Sequence, residues 1–368
     1  QGISNTGSLV VNVPFELPDG DNYRIQISAE NGAIESYSEF FTIQARPETL
    51  VSGTITENTT WGPYGGTYIV TGSLIVPSGI SLTIEPGTKV SFNNDTGLTV
   101  NGRLIAIGTD ESPIVFTSSS GTPSAGIWDG IYFGDSSLDT SVIAHAVVEY
   151  ADEGILCSNA SPTIRDSVFR ANNRGVYLQY DCISVVENNH FVQNNTGIYV
   201  YGYDASRTCS PVIRNNIMRE GSYGIYVVSY SSPVIEYNTI VNNLYGVRIS
   251  NSTACTMNSN IITYNNYGIY RSSGVYALSY NDVWGNTVNY YNVSAGETDM
   301  SIDPQYADFM GEDYQLQTNS PLLLAGADGG EIGAYGDGGT PVAFVVTLPL
   351  TTTPTVSGLL AQNEVWSG

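Results

Sequence analysis

The amino-acid sequence predicts an all-β protein whose central part, residues 50–335, is a right-handed parallel β-helix. A glycine-led phrase recurs about every 22 residues, and a column of asparagines recurs at matching intervals. Runs of Val, Ile, Tyr and Thr are short and bounded by Gly, Asn, Ser or Pro, and no stretch keeps a helical period. Strands this short cannot bury a face alone. Coils stacked ~4.8 Å apart would supply one continuous interior.

The glycine phrase fixes the register of the coils. It reads Gly-[Ile/Val]-Tyr-x in most copies, and its glycines are spaced by 21, 22, 27, 22 and 22 residues: Gly154, Gly175, Gly197, Gly224, Gly246 and Gly268. Strand alternation places the residue after each glycine inside and the next one outside. The predicted interior stack is therefore Ile155, Val176, Ile198, Ile225, Val247 and Ile269.

Two further columns repeat in the same register. The first contains asparagines spaced by 27, 22, 22 and 21 residues: Asn189, Asn216, Asn238, Asn260 and Asn281. It predicts a hydrogen-bonded ladder at a turn that tolerates left-handed backbone. The shared excess of five residues predicts an inserted loop at 201–210. The second column alternates in charge and predicts a paired outer face: Arg165, Glu187, Arg214, Glu236 and Asn258.

The cysteines also fall into this register. Cys182 and Cys209 each lie seven residues before a ladder asparagine, which predicts adjacent coils and a Cys182–Cys209 disulfide. Cys157 takes an inward position and is predicted to be a buried free thiol, and Cys255 is predicted to be free. No metal-ligand spacing is present.

The charge balance excludes several kinds of partner. The chain has 12 basic and 35 acidic residues, a net charge of −23, and a sequence pI near 4.1. Such a field repels nucleic acid and anionic lipid, and no apolar run is long enough to span a membrane. Few Lys, Arg and Cys with many Thr, Ser and Asn indicate a secreted, extracellular protein at the cell surface.

Several phrases resemble secreted bacterial proteins of the pectin-lyase-like, parallel β-helix repeat superfamily. The resembling phrases near the start are Tyr68–Val76, Leu82–Phe92, Leu98–Gly108, Pro113–Thr117 and Trp128–Phe133. Those near the end are Asp303–Tyr306, Asp313–Leu316, Ser320–Pro321 and Glu331–Tyr335. The resemblance implies the same fold. For enzymes of this superfamily it implies a Lys or Arg base, often with calcium, or two to three Asp on neighbouring coils.

No catalytic residue is predicted. The candidate carboxylates fall in different columns and do not converge: Asp152, Glu153, Asp166, Asp181, Asp204, Glu220 and Asp282. A general acid and base need two carboxylates within several ångströms of each other. His145 and His190 are interpreted as structural residues. We predict no cofactor and no metal, and calcium stays open because the resemblance implies it for lyases.

The two ends differ from the central coils. Residues 1–46 read as three strands and resemble the end of an immunoglobulin-like module, which three strands cannot complete. Residues 336–368 read as a β-rich tail or the start of a following module. Val356-Ser-Gly with Asn363 and Trp366 repeats the spacing of Val51-Ser-Gly with Asn58 and Trp61.

An outward tyrosine column is the best candidate binding surface: Tyr177, Tyr199, Tyr226 and Tyr270, interrupted by Arg248. Tyr also simply favours strands, so this column could merely cover its neighbours. Otherwise it is a platform for sugar rings or for another protomer.

The leading hypothesis is a non-catalytic structural or adhesive solenoid. A sharper version is a homo-oligomer or polymer in which the N-terminal strands and the tail 342–350 complete each other between chains. Extracellular glycans are the other predicted partners. The alternative is a carbohydrate-active enzyme, a lyase or a glycoside hydrolase, or a carbohydrate-binding module, using the tyrosine side.

Overall fold

The computed structural model describes residues 2–3, 20–24, 26–28, 35–37, 39–43, 48–342 and 359–360. The chain divides into two compact units, one made of Gln1–Pro47 with Val345–Gly368 and one made of Glu48–Phe344. The first unit begins with five short strands: β1 Gly2–Ile3, β2 Gly20–Tyr23, β3 Gln26–Ser28, β4 Glu35–Tyr37 and β5 Phe41–Ile43. β2 pairs with β5 and β3 with β4, both antiparallel.

The second unit contains nearly all the other strands. Its first half contains β6 Thr49–Thr54, β7 Thr59–Trp61, β8 Thr67–Val76, β9 Ser81–Ile84, β10 Lys89–Phe92, β11 Gly97–Val100, β12 Arg103–Ile107, β13 Ile114–Ser118, β14 Trp128–Phe133, β15 Val142–Ala144, β16 Ala146–Glu149, β17 Ala151–Ser158, β18 Thr163–Arg165, β19 Val168–Arg170 and β20 Arg174–Gln179. Its second half contains β21 Val185–Glu187, β22 His190–Val192, β23 Thr196–Tyr201, β24 Val212–Arg214, β25 Ile217–Arg219, β26 Tyr223–Val228, β27 Val234–Glu236, β28 Thr239–Val241, β29 Tyr245–Ser250, β30 Ser252–Asn258, β31 Ile261–Thr263, β32 Tyr267–Arg271, β33 Gly274–Ser279, β34 Asp282–Trp284, β35 Val288–Tyr291, β36 Tyr306–Asp308 and β37 Asp313–Leu316.

Three short 3-10 helices complete the second unit, at Pro63–Gly65, Pro321–Leu324 and Gly336–Gly338. The last strand, β38 Leu359–Leu360, belongs to the first unit and pairs in parallel with β1 of the same chain. The other residues of the predicted immunoglobulin-like segment, and the tail after residue 342, lie outside the described residues.

The second unit is a right-handed parallel β-helix of about 11 turns, which confirms the predicted fold class. The strands of its coils form three parallel sheets, and β36 and β37 form a separate antiparallel pair. Sheet 1 runs in the order β7-β9-β12-β15-β18-β21-β24-β27-β30-β33. Sheet 2 runs β8-β10-β13-β16-β19-β22-β25-β28-β31-β34, and sheet 3 runs β8-β11-β14-β17-β20-β23-β26-β29-β32-β35, with the long strand β8 shared between them.

The predicted interior stack is confirmed, because all six of its side chains, from Ile155 to Ile269, are fully buried. Aromatic rings also stack along the axis inside the solenoid. Phe92 and Trp128 lie 4.0 Å apart, and Phe169 and Phe191 lie 4.9 Å apart. The core is therefore continuous from coil to coil, with each layer packed on the next.

The asparagine ladder is also confirmed, and its chemistry is visible. In one rung, the Asn238 side-chain oxygen accepts from the backbone N–H of Asn216 at 3.1 Å. The Asn238 amide donates to the Ile213 carbonyl and to the Asn260 side chain, at 2.9 and 3.0 Å. The ladder asparagines themselves do not have left-handed backbone, contrary to the prediction. The residue before each one does: Asn188, Asn215, Tyr237, Ser259 and Tyr280.

A second asparagine ladder runs beside the first. Its members bond to one another and to the backbone in the same way: Asn172, Asn194, Asn243, Asn265 and Asn286. Gly221 occupies the place of one rung, where its N–H donates to Asn243. Two turns of each central coil, except the second turn of the coil that contains Gly221, are thus held by buried amide side chains.

The alternating charged column has the predicted register but only part of the predicted pairing. Arg165 aligns with Glu187, and Glu187 aligns with Arg214. Arg214 forms an ion pair with Glu187 at 2.7 Å, whereas Arg165 turns to the adjacent Asp166. An exposed ion pair contributes little free energy, so Arg165 pairs with the adjacent Asp166 and not with Glu187 on the next coil.

A strap, residues 304–342, returns over the outer face of sheet 2. Its Tyr306, Tyr314, Leu322 and Ile332 pack on buried residues of the sheet that include Ile261. Polar contacts hold it at both ends: the Tyr306 and Thr263 hydroxyls are hydrogen-bonded at 2.9 Å, and the Val342 N–H donates to the Asn188 carbonyl. This face of the solenoid is therefore covered by the chain itself, while the outer face of sheet 3 is half-exposed.

Candidate functional site

The tyrosine column lies on the outer face of sheet 3, as the sequence register predicts. Tyr177 aligns with Tyr199, and Tyr199 aligns with Tyr226. Arg248 and then Tyr270 follow in the same column. These side chains are half-buried. A second tyrosine column, three residues earlier in each strand, lies beside it: Tyr223, Tyr245 and Tyr267. We call the two columns together the tyrosine face.

The rings of the tyrosine face pack mainly on one another. Tyr223, Tyr245 and Tyr267 stack in series at 5.1 Å, with interplanar angles of 9° and 11°. Tyr177 and Tyr199 meet edge to face at 4.9 Å. The faces of the stacked rings are covered by the neighbouring rings. Only ring edges and hydroxyl groups are left to contact a ligand. A flat platform for sugar rings is therefore a weaker interpretation of this surface than the sequence indicated.

Arg248 lies at the centre of the more C-terminal part of the tyrosine face. Its guanidinium carbon is 4.9 Å from the Tyr226 ring centroid and 5.5 Å from those of Tyr245 and Tyr270. It donates to the Tyr223 hydroxyl at 3.0 Å. No carboxylate among the described residues lies within 4 Å of it, and its buried Nε has no hydrogen-bond partner there. Among the described residues, the cation is therefore held by aromatic rings and by the Tyr223 hydroxyl.

The inserted loop forms one side of this surface. The Arg207 guanidinium lies 4.1 Å from the Tyr203 ring centroid and 5.6 Å from that of Tyr180. Asp204 closes the loop by accepting from the Ser206 and Arg207 N–H groups at 2.9 and 3.0 Å. The insertion thus extends the aromatic surface rather than interrupting the coils.

An acidic pocket of about 210 Å³ opens at the N-terminal end of the same sheet, between β11, β14 and β17. Asp95, Asp129 and Glu153 line it, together with Tyr132. Asp95 and Asp129 are exposed, and neither carboxylate has a hydrogen-bond or ion-pair partner among the described residues. Glu153 is half-buried and pairs with Arg174. The pocket therefore offers two unpaired carboxylates to solvent.

The carboxylates of this pocket influence one another. Although Asp129 is exposed, partial desolvation of its carboxyl group, followed by the charges of Asp95 and Asp152, raises its pKa. Burial and the charge of Asp152 raise the pKa of Glu153, and the neighbouring Arg174 opposes that shift. Crowded like charges favour a cation or a proton in the pocket.

Of the carboxylates named from the sequence, Glu153 lines this pocket, and Asp95 and Asp129 were not among those candidates. The register shifts by one residue between Gly130 and Ile131, so Gly130 aligns with Glu153 while Ile131 aligns with Ile155. Gly130 has a φ of 117°, and a side chain at this position would overlap the Glu153 carbonyl. The extra residue is Gly154 of β17, and this β-bulge places Gly130 opposite Glu153 and Asp129 level with Asp152.

The cysteines lie in the interior as expected, but all four are free in the structure. The Cys182–Cys209 disulfide stays a prediction. Cys182 and Cys209 lie on adjacent coils. The Cys182 thiol is hydrogen-bonded to the thiols of both Cys157 and Cys209. Hydrogen bonds from these two thiols hold the pKa of Cys182 well below its usual range. The thiols of Cys157, Cys182 and Cys209 thus lie next to one another in the interior.

Both histidines have structural surroundings. His190 is buried under the strap, where it accepts from Arg219 at 3.1 Å. Burial and the Arg219 charge lower the pKa of His190 to about 3. His145 lies 2.8 Å from Asp110. Within residues 48–342 and the other described segments, no three His, Cys, Asp or Glu side chains form a metal-binding group. No helix in these segments has the length and apolar character to cross a membrane.

Comparison with known proteins identifies one family. The family described as "Periplasmic copper-binding protein (NosD)" matches residues 81–315, which is more than half of the chain and lies within the β-helix. No curated protein matches the sequence. The match includes the acidic pocket and the tyrosine face. The chain belongs to the NosD family.

Proposed function

We propose that this chain is an exported, non-catalytic structural solenoid whose tyrosine face contacts another macromolecule at the cell surface. The periplasmic description of its family supports export. The observation that carries the proposal is the tyrosine face itself, a half-exposed array of tyrosines around Arg248. Tyr and Arg are the residues that concentrate in the cores of protein interfaces.

An adhesive role and a fibre role are the finer forms of this proposal. Fibre growth by strand exchange would need the β1–β38 pair, which forms within one chain, to open and reform between chains. Contact through the tyrosine face needs no such opening. We therefore give the tyrosine face the principal role and keep strand exchange as a second route to assembly.

Replacing Tyr177, Tyr199 and Tyr226 together by Ser is expected to weaken binding to the envelope of the producing cells by at least about tenfold. Cosedimentation of the purified chain with isolated envelope measures this. Tyr64→Ser is the matched control, because Tyr64 is 86% exposed and lies outside the tyrosine face. Thermal melting checks that both variants fold. Unchanged binding by the triple variant would contradict the proposal.

The acidic pocket supports a second candidate, a glycoside hydrolase or lyase. Two neighbouring carboxyl groups with raised pKa, Asp129 and Glu153, are the kind of group that serves as a general acid. Polysaccharide turnover that Glu153→Gln abolishes would replace the structural proposal with this one.

The family description names copper, but we assign no copper site to this chain. Copper favours thiolate and imidazole ligands. The thiols of Cys157, Cys182 and Cys209 are buried in the core, and no metal-binding group is found among the residues that the structure describes. These side chains do not fit a copper site. Calcium would suit the carboxylates of the acidic pocket chemically, and we assign it no role.

A further inference from the structure

The outer face of sheet 3 carries opposite charges at two positions along the solenoid axis. The acidic pocket lies on β11, β14 and β17, and Arg248 lies on β29 of the same sheet. Tyrosine rings occupy the surface between them. A surface that carries both complementary groups can bind a second copy of itself through an isologous twofold contact.

Arg248 is a suitable group to enter a partner's pocket. Most other described arginines are already paired with carboxylates, for example Arg214 with Glu187 and Arg174 with Glu153. Arg248 is held in place by tyrosine rings and has no carboxylate partner among the described residues. Its rotamers are already restricted by packing, so little side-chain entropy remains to be lost on binding.

The acidic pocket offers the complementary group. Asp95 and Asp129 are exposed, and their carboxylates are unpaired within the described part of the chain. The pocket walls include Thr99 and Tyr132, which share the strand column of Arg248. Asp129 precedes Tyr132 by three residues and adjoins the column of Tyr223. Because Arg248 reaches toward that column and donates to the Tyr223 hydroxyl, its guanidinium and the Asp129 carboxylate lie at similar positions across the sheet.

The spacing along the axis permits both contacts at once. From β14 to β29 there are five coil steps, through β17, β20, β23 and β26. At ~4.8 Å per step this separates the pocket from Arg248 by ~24 Å. The midpoint falls between β20 and β23, where the Arg174 guanidinium lies 5.0 and 5.1 Å from the rings of Tyr177 and Tyr199.

We propose that two copies of this chain pair antiparallel through the tyrosine face, with a twofold axis between Tyr177 and Tyr199 and Arg248 of each copy in the acidic pocket of the other. This rests on the proposed role of the tyrosine face as a contact surface. It names the partner as a second copy of the chain.

The size of the contact sets the expected strength. Six coils of six-residue strands present roughly 600 Å² per copy, which is below the ~800 Å² per partner of a standard interface. The net charge of −23 per copy also opposes association. Charges further apart than ~8 Å are largely screened at physiological salt, so the local pairs decide the geometry. The dimer is expected to be weak and to form at micromolar concentrations.

Sedimentation of the full chain with a charge swap tests this arrangement. Wild type is expected to dimerise, and Arg248→Glu alone and Asp129→Arg alone are each expected to weaken the dimer at least about tenfold. An equimolar mixture of these two variants is expected to restore it, because each twofold contact then pairs opposite charges. Arg103→Glu, on sheet 1, is the matched control and should dimerise as wild type does.

Restoration in the mixture also shows that both variants are folded. A monomeric wild type at 100 µM (roughly the weakest affinity that the contact area allows) would overturn the inference. A mixture that stays monomeric would do the same. If the dimer fails while the triple Tyr variant still loses envelope binding, only this inference falls. If envelope binding survives in the triple variant, the proposed function itself falls.

Discussion

Replacing Asn238 by Ala is expected to lower the free energy of unfolding by about 3–5 kcal/mol, the sum of two or three lost buried partners at 1–3 kcal/mol each. The Asn238 side chain is fully buried and joins three coils. Its removal leaves the Asn216 N–H and the Ile213 carbonyl without partners inside the solenoid. Water cannot reach these groups to compensate.

Urea denaturation of Asn238→Ala and wild type measures this difference. Asn266→Ala is the matched control, because Asn266 is exposed and lies beside a ladder residue without belonging to either ladder. Its effect should stay within ~0.5 kcal/mol. An equal loss in both variants would mean that asparagine matters here through backbone propensity and not through the ladder.

Asp282→Asn is expected to stabilise the protein by up to ~4 kcal/mol above pH 7 and to have little effect near pH 4, since each pKa unit corresponds to ~1.4 kcal/mol. The Asp282 carboxyl is fully buried where the chain turns into the strap. One of its oxygens accepts from the Ile302 N–H at 2.8 Å, and the other has no partner among the described residues. Burial raises its pKa to about 7, and the charges of Asp303 and Asp299 add to the shift.

The sign of the pH dependence follows from this shift. The folded pKa, about 7, exceeds the ordinary value of 3.8 that applies to the unfolded chain, so the folded state binds more protons between these values. The free energy of unfolding therefore falls as the pH rises from about 4 to about 7, and Asp282 contributes no further change above that. The amide side chain of the Asp282→Asn variant cannot ionise, so its free energy of unfolding does not fall in this way as the pH rises.

Thermal melts of wild type and Asp282→Asn across pH 4 to 8 measure the effect. Asp313→Asn, which changes the same charge at an exposed site, is the matched control and should run parallel to wild type. Parallel curves for Asp282→Asn and wild type would show that Asp282 ionises freely and that the strap does not bury it.

The sequence predicted the features that depend on strict repetition. Val176, Ile198 and Ile225 recur at the coil length because each must fill the same interior position. Register alone also gave the alignment of Tyr177, Tyr199 and Tyr226. The second asparagine ladder was equally periodic, and it was missed because Gly221 breaks its column.

Features that break the repeat could not be predicted in this way. The acidic pocket adds Asp95, which precedes β11, and Asp129 on β14, and both lie outside the six glycine-phrase copies from which the register was counted. The strap buries His190 and Arg219 from residues far away in sequence, as the Arg219–Glu312 ion pair of 2.7 Å illustrates. Ring orientation on the tyrosine face depends on packing between neighbouring side chains, which alternation does not specify.

Tyrosine-directed chemical labelling tests the central claim, that the tyrosine face contacts another macromolecule at the cell surface. The purified chain at a dilution where it is monomeric is compared with the chain bound to envelope, and mass spectrometry reads each tyrosine. We expect Tyr177, Tyr199, Tyr226 and Tyr270 to be protected several-fold in the bound state, while the exposed Tyr64 labels equally in both. Equal labelling of all five tyrosines in both states would contradict the claim.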